Sequence, residues 1–391
     1  MKNALDNLID VDLFAGAGGL AVGLRAAGFS PASFYELDVR SCQTLRHNLE
    51  GTHSTLFGTV YEGKAEEVDW NPLSDKVRLL AAGAPCQPFS LGGKHQADRD
   101  GRNLFPQVFR AVRELRPMAI FLENVRGLAR ESFRPYFDYI LRHLECPSVK
   151  PGHHELWQNH DHRIRQLQMS PGYEPEYRVV YRLVEAADFG VPQNRQRVFI
   201  VATRRDLPVY EFPHRTHSKA ALIAAQKSGE YWEQHGIRRP RSFVLSENGG
   251  HDANGSLPWL TVRDALQSLP PPSKLESDST MNHWAIPGAR IYTGHSGSIM
   301  DWPAKTIKAG VHGVPGGENT ITDDDGAFRY FTLRETARMQ TFPDKHLFKG
   351  ARIHVTRQIG NAVPCLLATN LAQPLFNLIK HHLTVKGKGT K

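Results

Sequence analysis

Residues 8–28 constrain the fold more tightly than any other stretch of the chain. Leu8 to Phe14 reads as a strand, Ala15-Gly16-Ala17-Gly18-Gly19-Leu20 as a glycine turn, and the residues beyond as a helix ending at Gly28. A strand that passes through glycines into a helix is the opening of a nucleotide-binding βαβ unit. Glycine lets the backbone approach a ligand closely, and the helix amino terminus offers unpaired N–H groups. The spacing is GxGG rather than GxGxxG, so a dinucleotide pyrophosphate is not specifically indicated. A second strand, Ser33 to Leu37, brings Glu36 and Asp38 about 20 residues downstream, where an acid commonly grips ribose hydroxyls. Glu36, at the strand tip, is the favoured ligand. Asp38 reads as the cap of a helix running from Val39 to about Glu50.

The same alternation continues. Val77 to Ala82 is an apolar run that reads as a buried strand, and it leads into Gly83-Ala84-Pro85-Cys86-Gln87-Pro88-Phe89-Ser90. Pro85 and Pro88 stiffen that turn, and the glycine-rich polar residues 91–102 have the look of a mobile loop. A cysteine at the carboxyl end of a strand is where an α/β protein places a nucleophile; a buried structural thiol is the ordinary alternative. Leu104 to Leu115 has helical periodicity, and Met118 to Leu122 is another buried strand, ending in Glu123-Asn124-Val125. Arg134 to Leu144 is an amphipathic helix, whereas residues 146–176 read as irregular. His153, His154, His160 and His162 fall in that irregular stretch. Without cysteine or acidic partners at ligand spacing they read as a solvated loop, and no metal is expected.

Strands Tyr177 to Glu185 and Arg197 to Thr203 flank Gly190-Val191-Pro192-Gln193-Asn194-Arg195-Gln196-Arg197. Alternate residues of an extended segment share a face, so Arg195 and Arg197 are expected to point the same way, towards a phosphate or a carbonyl oxygen. A solvated basic edge is the default reading. Strands alternating with helices imply an open, mostly parallel sheet with its site at the carboxyl edge.

From Arg204 to about Arg329 the texture changes to short segments punctuated by Pro, Gly, Ser, His and Arg, including Arg238, Arg239 and Arg241. This reads as a separate loop-rich module. Regular structure resumes with a helix from Thr332, which caps it with Glu335 at the capping-box position, and Gln358 to Pro364 introduces a final helix, Leu366 to about Leu383. Four cysteines without a CxxC pair suit a reducing cytoplasm. The amino terminus does not read as a signal peptide, and no apolar run long enough to span a bilayer is evident. A formal net charge of +8 fits a polyanionic substrate.

Six blocks in order, DLFAGAGGL, GAPCQPFS, ENV, QNRQRV, RETARMQTFPD and QIGNAVP, resemble the signature motifs of the DNA (cytosine-5)-methyltransferases of bacterial restriction-modification systems. The resemblance runs from Asp12 to Pro364, apart from the variable middle. It implies an α/β fold: a Rossmann-like, S-adenosylmethionine-dependent large domain of residues 1–202 with 351–391, and a smaller target-recognition domain of residues 203–350 across a DNA-binding cleft. Cys86 matches the nucleophile, Glu123 the carboxyl that meets cytosine N3, and Arg195 and Arg197 the arginines at the target base. Phe14, Gly16, Gly18, Gly19, Leu20, Glu36, Leu37, Pro85, Leu104, Asn361 and Val363 match cofactor-contacting positions. The family's usual adenine-binding aspartate is missing from Gly63-Lys64-Ala65-Glu66, and Glu66 is expected in its place.

Gln87, Ser90, Lys94, Arg238, Arg239 and Arg241 are expected to touch DNA. S-adenosylhomocysteine would be the product, double-stranded DNA the partner, and a restriction endonuclease acting on the same sequence a further associate without direct contact. A cytoplasmic monomer is expected, associated with the nucleoid through DNA. The competing readings are a relative acting on transfer RNA, a silent nucleic-acid-binding protein and an unrelated oxidoreductase. The last leaves Cys86, Glu123 and the paired arginines without a task.

Overall fold

The computed structural model describes residues 9–49, 55–85, 103–240, 255–275, 281–291, 297–310 and 319–388. The chain divides into two compact units. One comprises Met1–Val184, Gln196–Phe212 and Ala368–Lys391; the other comprises Glu185–Arg195 and Pro213–Leu367.

The first unit is built on a sheet of seven strands: β1 (Ile9–Leu13), β2 (Pro31–Glu36), β3 (Thr59–Glu62), β4 (Val77–Ala82), β5 (Ala119–Val125), β6 (Tyr177–Glu185) and β7 (Gln196–Arg204), in the order β3-β2-β1-β4-β5-β7-β6. β1 to β5 pair in parallel and β7 joins β5 antiparallel. All six residues of β4 are buried, as a strand covered on both faces requires. Helices α1 (Gly19–Ala26), α2 (Val39–Leu49), α3 (Phe105–Leu115), α4 (Arg134–Glu145) and α5 (Trp157–Gln168) supply the cover. Their apolar faces, among them Val108, Val112, Leu115, Phe137, Ile140 and Leu144, join Val11, Leu13, Leu80 and Ile120 of the sheet in one core.

Two expectations fail. Residues 146–176 contain a regular helix, α5, whose buried side is largely polar. His160, fully buried, bonds Tyr139 Oη at 3.0 Å and the Val149 carbonyl at 2.9 Å, while Asp161 receives two bonds from Arg142 at 2.7 and 3.0 Å. His160 is therefore not part of a solvated loop. The other concerns Arg352–Val385, which by length and composition is apolar enough to cross a membrane, where the sequence reading found no such run. Its most apolar window is 56% buried inside the protein, the signature of a core helix. Phe376 there meets Phe29 edge-on at 5.1 Å, and Tyr210 Oη donates to the Leu371 carbonyl at 2.6 Å.

The second unit has little sheet. It holds α6 (Lys219–Ser228), α7 (Glu230–Gln234), α8 (Val262–Leu266), α9 (Leu333–Met339), α10 (Arg352–Asn361) and the first residues of α11 (Cys365–Lys388). The paired strands are short: β8 (His217–Ser218) with β9 (Leu257–Pro258), and β10 (Ser298–Ile299), β11 (Thr320–Thr322) and β12 (Phe328–Tyr330). Side chains start three of its helices. Ser218 caps α6, and Thr261 with Asp264 and Thr332 with Glu335 form reciprocal capping boxes on α8 and α9. The second of these boxes is the one read from the sequence. α10 begins at Arg352, ahead of the Gln358–Pro364 segment expected to introduce the last helix, and takes in that segment's first four residues.

Candidate active site at the carboxyl edge of the sheet

Two neighbouring strand tips build this site. β4 ends at Ala82 and the chain continues through Gly83, Ala84 and Pro85; alongside, β5 runs on past Leu122, the partner of Ala82, to Glu123 and Asn124. Asn124 is buried and donates from Nδ2 to the Ala84 carbonyl at 3.2 Å, which fixes one tip against the other. Glu123 is 8% exposed, and its Oε1 meets Arg197 Nε at 2.9 Å. The antiparallel register accounts for that pair: Glu123 faces Phe199, so Arg197, two residues earlier, is its diagonal neighbour on the same face. A methyl group added at Gly83 would stand 4.0 Å from Glu123 Oε2, so the glycine leaves room before the carboxylate.

Cys86 lies one residue past the last described position of that tip and outside the described residues, as do Gln87, Ser90, Lys94 and Arg241. Pro85 is half-buried. The other three cysteines are buried. Burial pushes the Cys42 thiol up to about 12, Cys146 up to about 11, and Cys365 up as well. A thiol so raised is not a nucleophile at neutral pH.

Arg195 corrects an expectation. It precedes β7 rather than lying in it, so the two-residue alternation does not place it beside Arg197. Its side chain is 1% exposed and donates to the carbonyls of Ile307 at 3.1 Å, Gly360 at 2.9 Å and Ala362 at 3.0 Å. A guanidinium so engaged is not presented to a base. Arg197, by contrast, keeps a carboxylate partner and partial exposure.

The glycine turn after β1 forms a second cluster. Phe14, Gly16 and Gly18 have φ of 60°, 55° and 87°, a left-handed run that glycine adopts freely and an aromatic residue adopts under strain. Nothing lies within 4 Å of a methyl group added at Gly16, so the turn faces open space. Gly19 and Leu20 are buried at the start of α1. Glu36 at the tip of β2 accepts the Gly16 N–H at 2.8 Å, and those of Leu37 and Asp38 at 2.9 and 2.7 Å. Burial raises its carboxyl and these three bonds oppose the rise. Asp38 caps α2 as read from the sequence, accepting the Ser41 N–H at 2.8 Å.

Leu37 is 61% exposed. Leu104 is half-buried at the start of α3, and Glu66 is exposed on the turn Ala65–Glu67. In the second unit Asn361 is exposed, Val363 is buried, and Arg238 and Arg239 are exposed just beyond α7.

One residue of this cluster escaped the sequence reading. Asp12 in β1 is wholly buried, and neither carboxylate oxygen has a hydrogen-bond partner among the described residues. Burial, and the nearby Glu36 charge after it, raise its carboxyl well above the ordinary range. Two acids in a five-residue strand were the available signal, and of the two only Asp10 finds a partner among the described residues, in Arg78. A wholly buried acid without a partner among the described residues, and a second acid, Glu36, bonded to an open glycine turn, fit a ligand that carries positive charge. S-adenosylmethionine carries it on its sulfonium and its amino group.

Among the described residues no group of three or more His, Cys, Asp or Glu side chains is placed to hold a metal ion.

Comparison with known proteins adds four findings. A family model described as "C-5 cytosine-specific DNA methylase" matches residues 8–146 and 158–377. The Type II methyltransferase M.PspPI of Psychrobacter sp. is 31% identical over 383 residues, covering 94% of this chain and 79% of the relative. M.NaeI of Lentzea aerocolonigenes is 36% identical over 391 residues, covering 98% and 78%. Among solved structures, the Dnmt2 methyltransferase of S. pombe is similar with a TM-score of 0.56 at 16% identity, over 95% of this chain and 98% of that one.

Proposed function

This chain belongs to the C-5 cytosine-specific DNA methylase family, a family of S-adenosylmethionine-dependent methyltransferases, and from that premise we propose which of its residues methylate carbon 5 of cytosine in DNA. Carbon 5 is a poor nucleophile until carbon 6 has taken up a thiolate. Cys86 supplies it, delivered by the Gly83–Pro85 tip. Glu123, in its protonated form, stands at N3, where charge develops during the addition, donates its proton there and takes it back as Cys86 is expelled. Arg197 holds the Glu123 carboxyl group in place and stabilises the same charge at O2. S-adenosylmethionine, when bound, supplies the methyl group. The proton on carbon 5 then leaves to solvent or a solvent-derived base, and Cys86 is expelled.

Phe14, Gly16, Gly18, Gly19, Leu20, Glu36, Leu37, Glu66, Pro85, Leu104, Asn361 and Val363 are proposed to hold the cofactor, with Asp12 added to them. The carboxylates of Glu36 and Asp12 answer the ligand's hydroxyls and positive charge. The target base is reached by flipping it out of the duplex. Arg238, Arg239 and Arg241, with Gln87, Ser90 and Lys94, are proposed DNA contacts, and residues 203–350 are proposed to read the sequence. The relatives' names support a restriction-modification setting, with a cognate endonuclease and the cytoplasm as its context.

The observation that carries the assignment is the Glu123–Arg197 pair, set across a side-chain-free Gly83 from the tip that leads to Cys86. The test is base-resolution mapping of 5-methylcytosine on plasmid from cells expressing wild type or Cys86→Ser. Methylation at one short motif, lost in the variant, is expected. Unmethylated DNA despite soluble, cofactor-binding protein would overturn the DNA assignment and direct the search to RNA.

A further inference from the structure

Three motif blocks that lie far apart in sequence converge on one buried polar net in the second unit. Gln193, wholly buried, donates to the Met339 carbonyl at 3.0 Å and to Gln340 Oε1 at 2.9 Å, and accepts the Ile307 N–H at 2.8 Å. Gln340, also wholly buried, donates to the carbonyls of Ile359 at 2.7 Å and Ala362 at 3.1 Å. Arg195 donates to the carbonyls of Ile307, Gly360 and Ala362. Six of these bonds have one end at the carboxyl-terminal end of α10 or at Ile307. The close approach is backbone against backbone: a methyl group added at Gly360 would lie 2.4 Å from Ala309 N. The same net continues into the next helix, where Cys365 N–H meets the Gln340 carbonyl at 3.0 Å and Leu366 N–H meets Thr341 Oγ1 at 2.8 Å. Thr341 has φ of 57°, a strained backbone that a β-branched residue adopts only when its surroundings impose it.

A helix end leaves its last carbonyls unsatisfied, and a side chain that gathers several of them sets where the following residues stand. Asn361, exposed between the two bonded carbonyls of Gly360 and Ala362, is the residue whose place is so set. We propose that Gln193, Arg195 and Gln340 are positioning residues for cofactor binding: they clamp the Gly360–Ala362 turn, so that Asn361 and Val363 are preorganised to meet S-adenosylmethionine. This rests on the assignment of Asn361 and Val363 as cofactor residues. It gives Arg195 a role in binding the methyl donor rather than the base, and assigns roles to Gln193 and Gln340.

The test measures S-adenosylhomocysteine binding by calorimetry without DNA, together with KM and kcat, in Arg195→Lys, Gln340→Met, Asn361→Ala and the double variant Arg195→Lys/Asn361→Ala. Lysine keeps the charge but loses the fork that reaches several carbonyls, and methionine keeps the volume of glutamine without its donors. Arg195→Lys and Gln340→Met are each expected to weaken binding and raise the cofactor KM about tenfold, with kcat at saturating cofactor changed less than about threefold. In the double variant the effect of Arg195→Lys should largely vanish, since the clamp acts through Asn361.

Additive losses would overturn the clamp, as would a loss of kcat at unchanged KM, which would return Arg195 to the base. Should Arg195→Lys not fold, Gln340→Met decides: unchanged binding overturns the proposal. Unchanged binding in Asn361→Ala would instead refute the cofactor assignment of that residue, a separate failure visible in the single variant alone.

Discussion

The two units solve the same problem, pairing the main chain, in opposite ways. In the first, the ladders of a seven-stranded sheet satisfy the backbone, and polar side chains at the strand tips are left to other tasks. Glu123, Arg197 and Asp12 belong to that class. In the second, described strands are two or three residues long and side chains take over the ladder's role. Arg334, wholly buried, donates to the carbonyls of Met281 at 2.8 Å, Pro343 at 3.2 Å and His346 at 2.7 Å. Arg195, Gln193 and Gln340 do the same elsewhere in that unit. An arginine in a motif is thus read by the structure around it. Beside a ladder it is free for chemistry; among loops it is needed for the fold.

The largest effect that sharpens this contrast is Cys86→Ser, expected to lower kcat by about 10,000-fold or more with the urea midpoint unchanged. Unfolding of that variant would erase the contrast from one side. Arg334→Met attacks it from the other: three carbonyls lose a charged donor, and about 4 kcal/mol of unfolding free energy should go, measured by urea denaturation. A stable Arg334→Met protein would show that the loop-rich unit does not depend on such donors. Glu123→Gln should cut kcat about 100- to 1,000-fold and leave stability nearly intact, read by initial rates at saturating cofactor and by thermal unfolding.

The smallest effect is on stability alone. Asp12 has a raised carboxyl pKa in the folded state, so the folded protein holds that proton more tightly than the unfolded chain. Stability is therefore lost as pH rises from the ordinary carboxylate value, about 4, towards the folded one. Asp12→Asn should match wild type near pH 4 and exceed it by about 1–3 kcal/mol above the folded value, in paired thermal melts. Equal stability at both ends would mean that Asp12 has a partner, and would remove it from the proposed cofactor residues.

Much of this was legible in the residues. β4 and β6 occupy the runs read as strands, Val77–Ala82 and Tyr177–Glu185, since apolar content and β-branched residues suffice there. The caps at Asp38 and Thr332 were legible because a short polar side chain before a helix has few other uses. α5 was hidden because its buried face carries His160 and Asp161, whose partners come from α4 and from Val149. Arg195 was misplaced for a related reason. Spacing describes a side chain's direction only inside a strand, and β7 begins one residue later. Asp12 was visible as an oddity, but only its burial gives the oddity meaning.

The clamp also imposes an order on the chain's birth. Arg195 and the carbonyl of Gly360 are separated by 165 residues. At translation rates of about 5–20 residues per second, that separation lasts roughly 8–33 s. For that interval the carbonyls of Gly360 and Ala362, two of the three that the guanidinium will bond, do not yet exist. The second unit therefore closes late, around its last segment, while the five parallel strands of the sheet, all made by residue 125, have already been available to pair. A chain interrupted before α10 would carry Cys86, Glu123 and the glycine turn, yet lack the end that locks the other half.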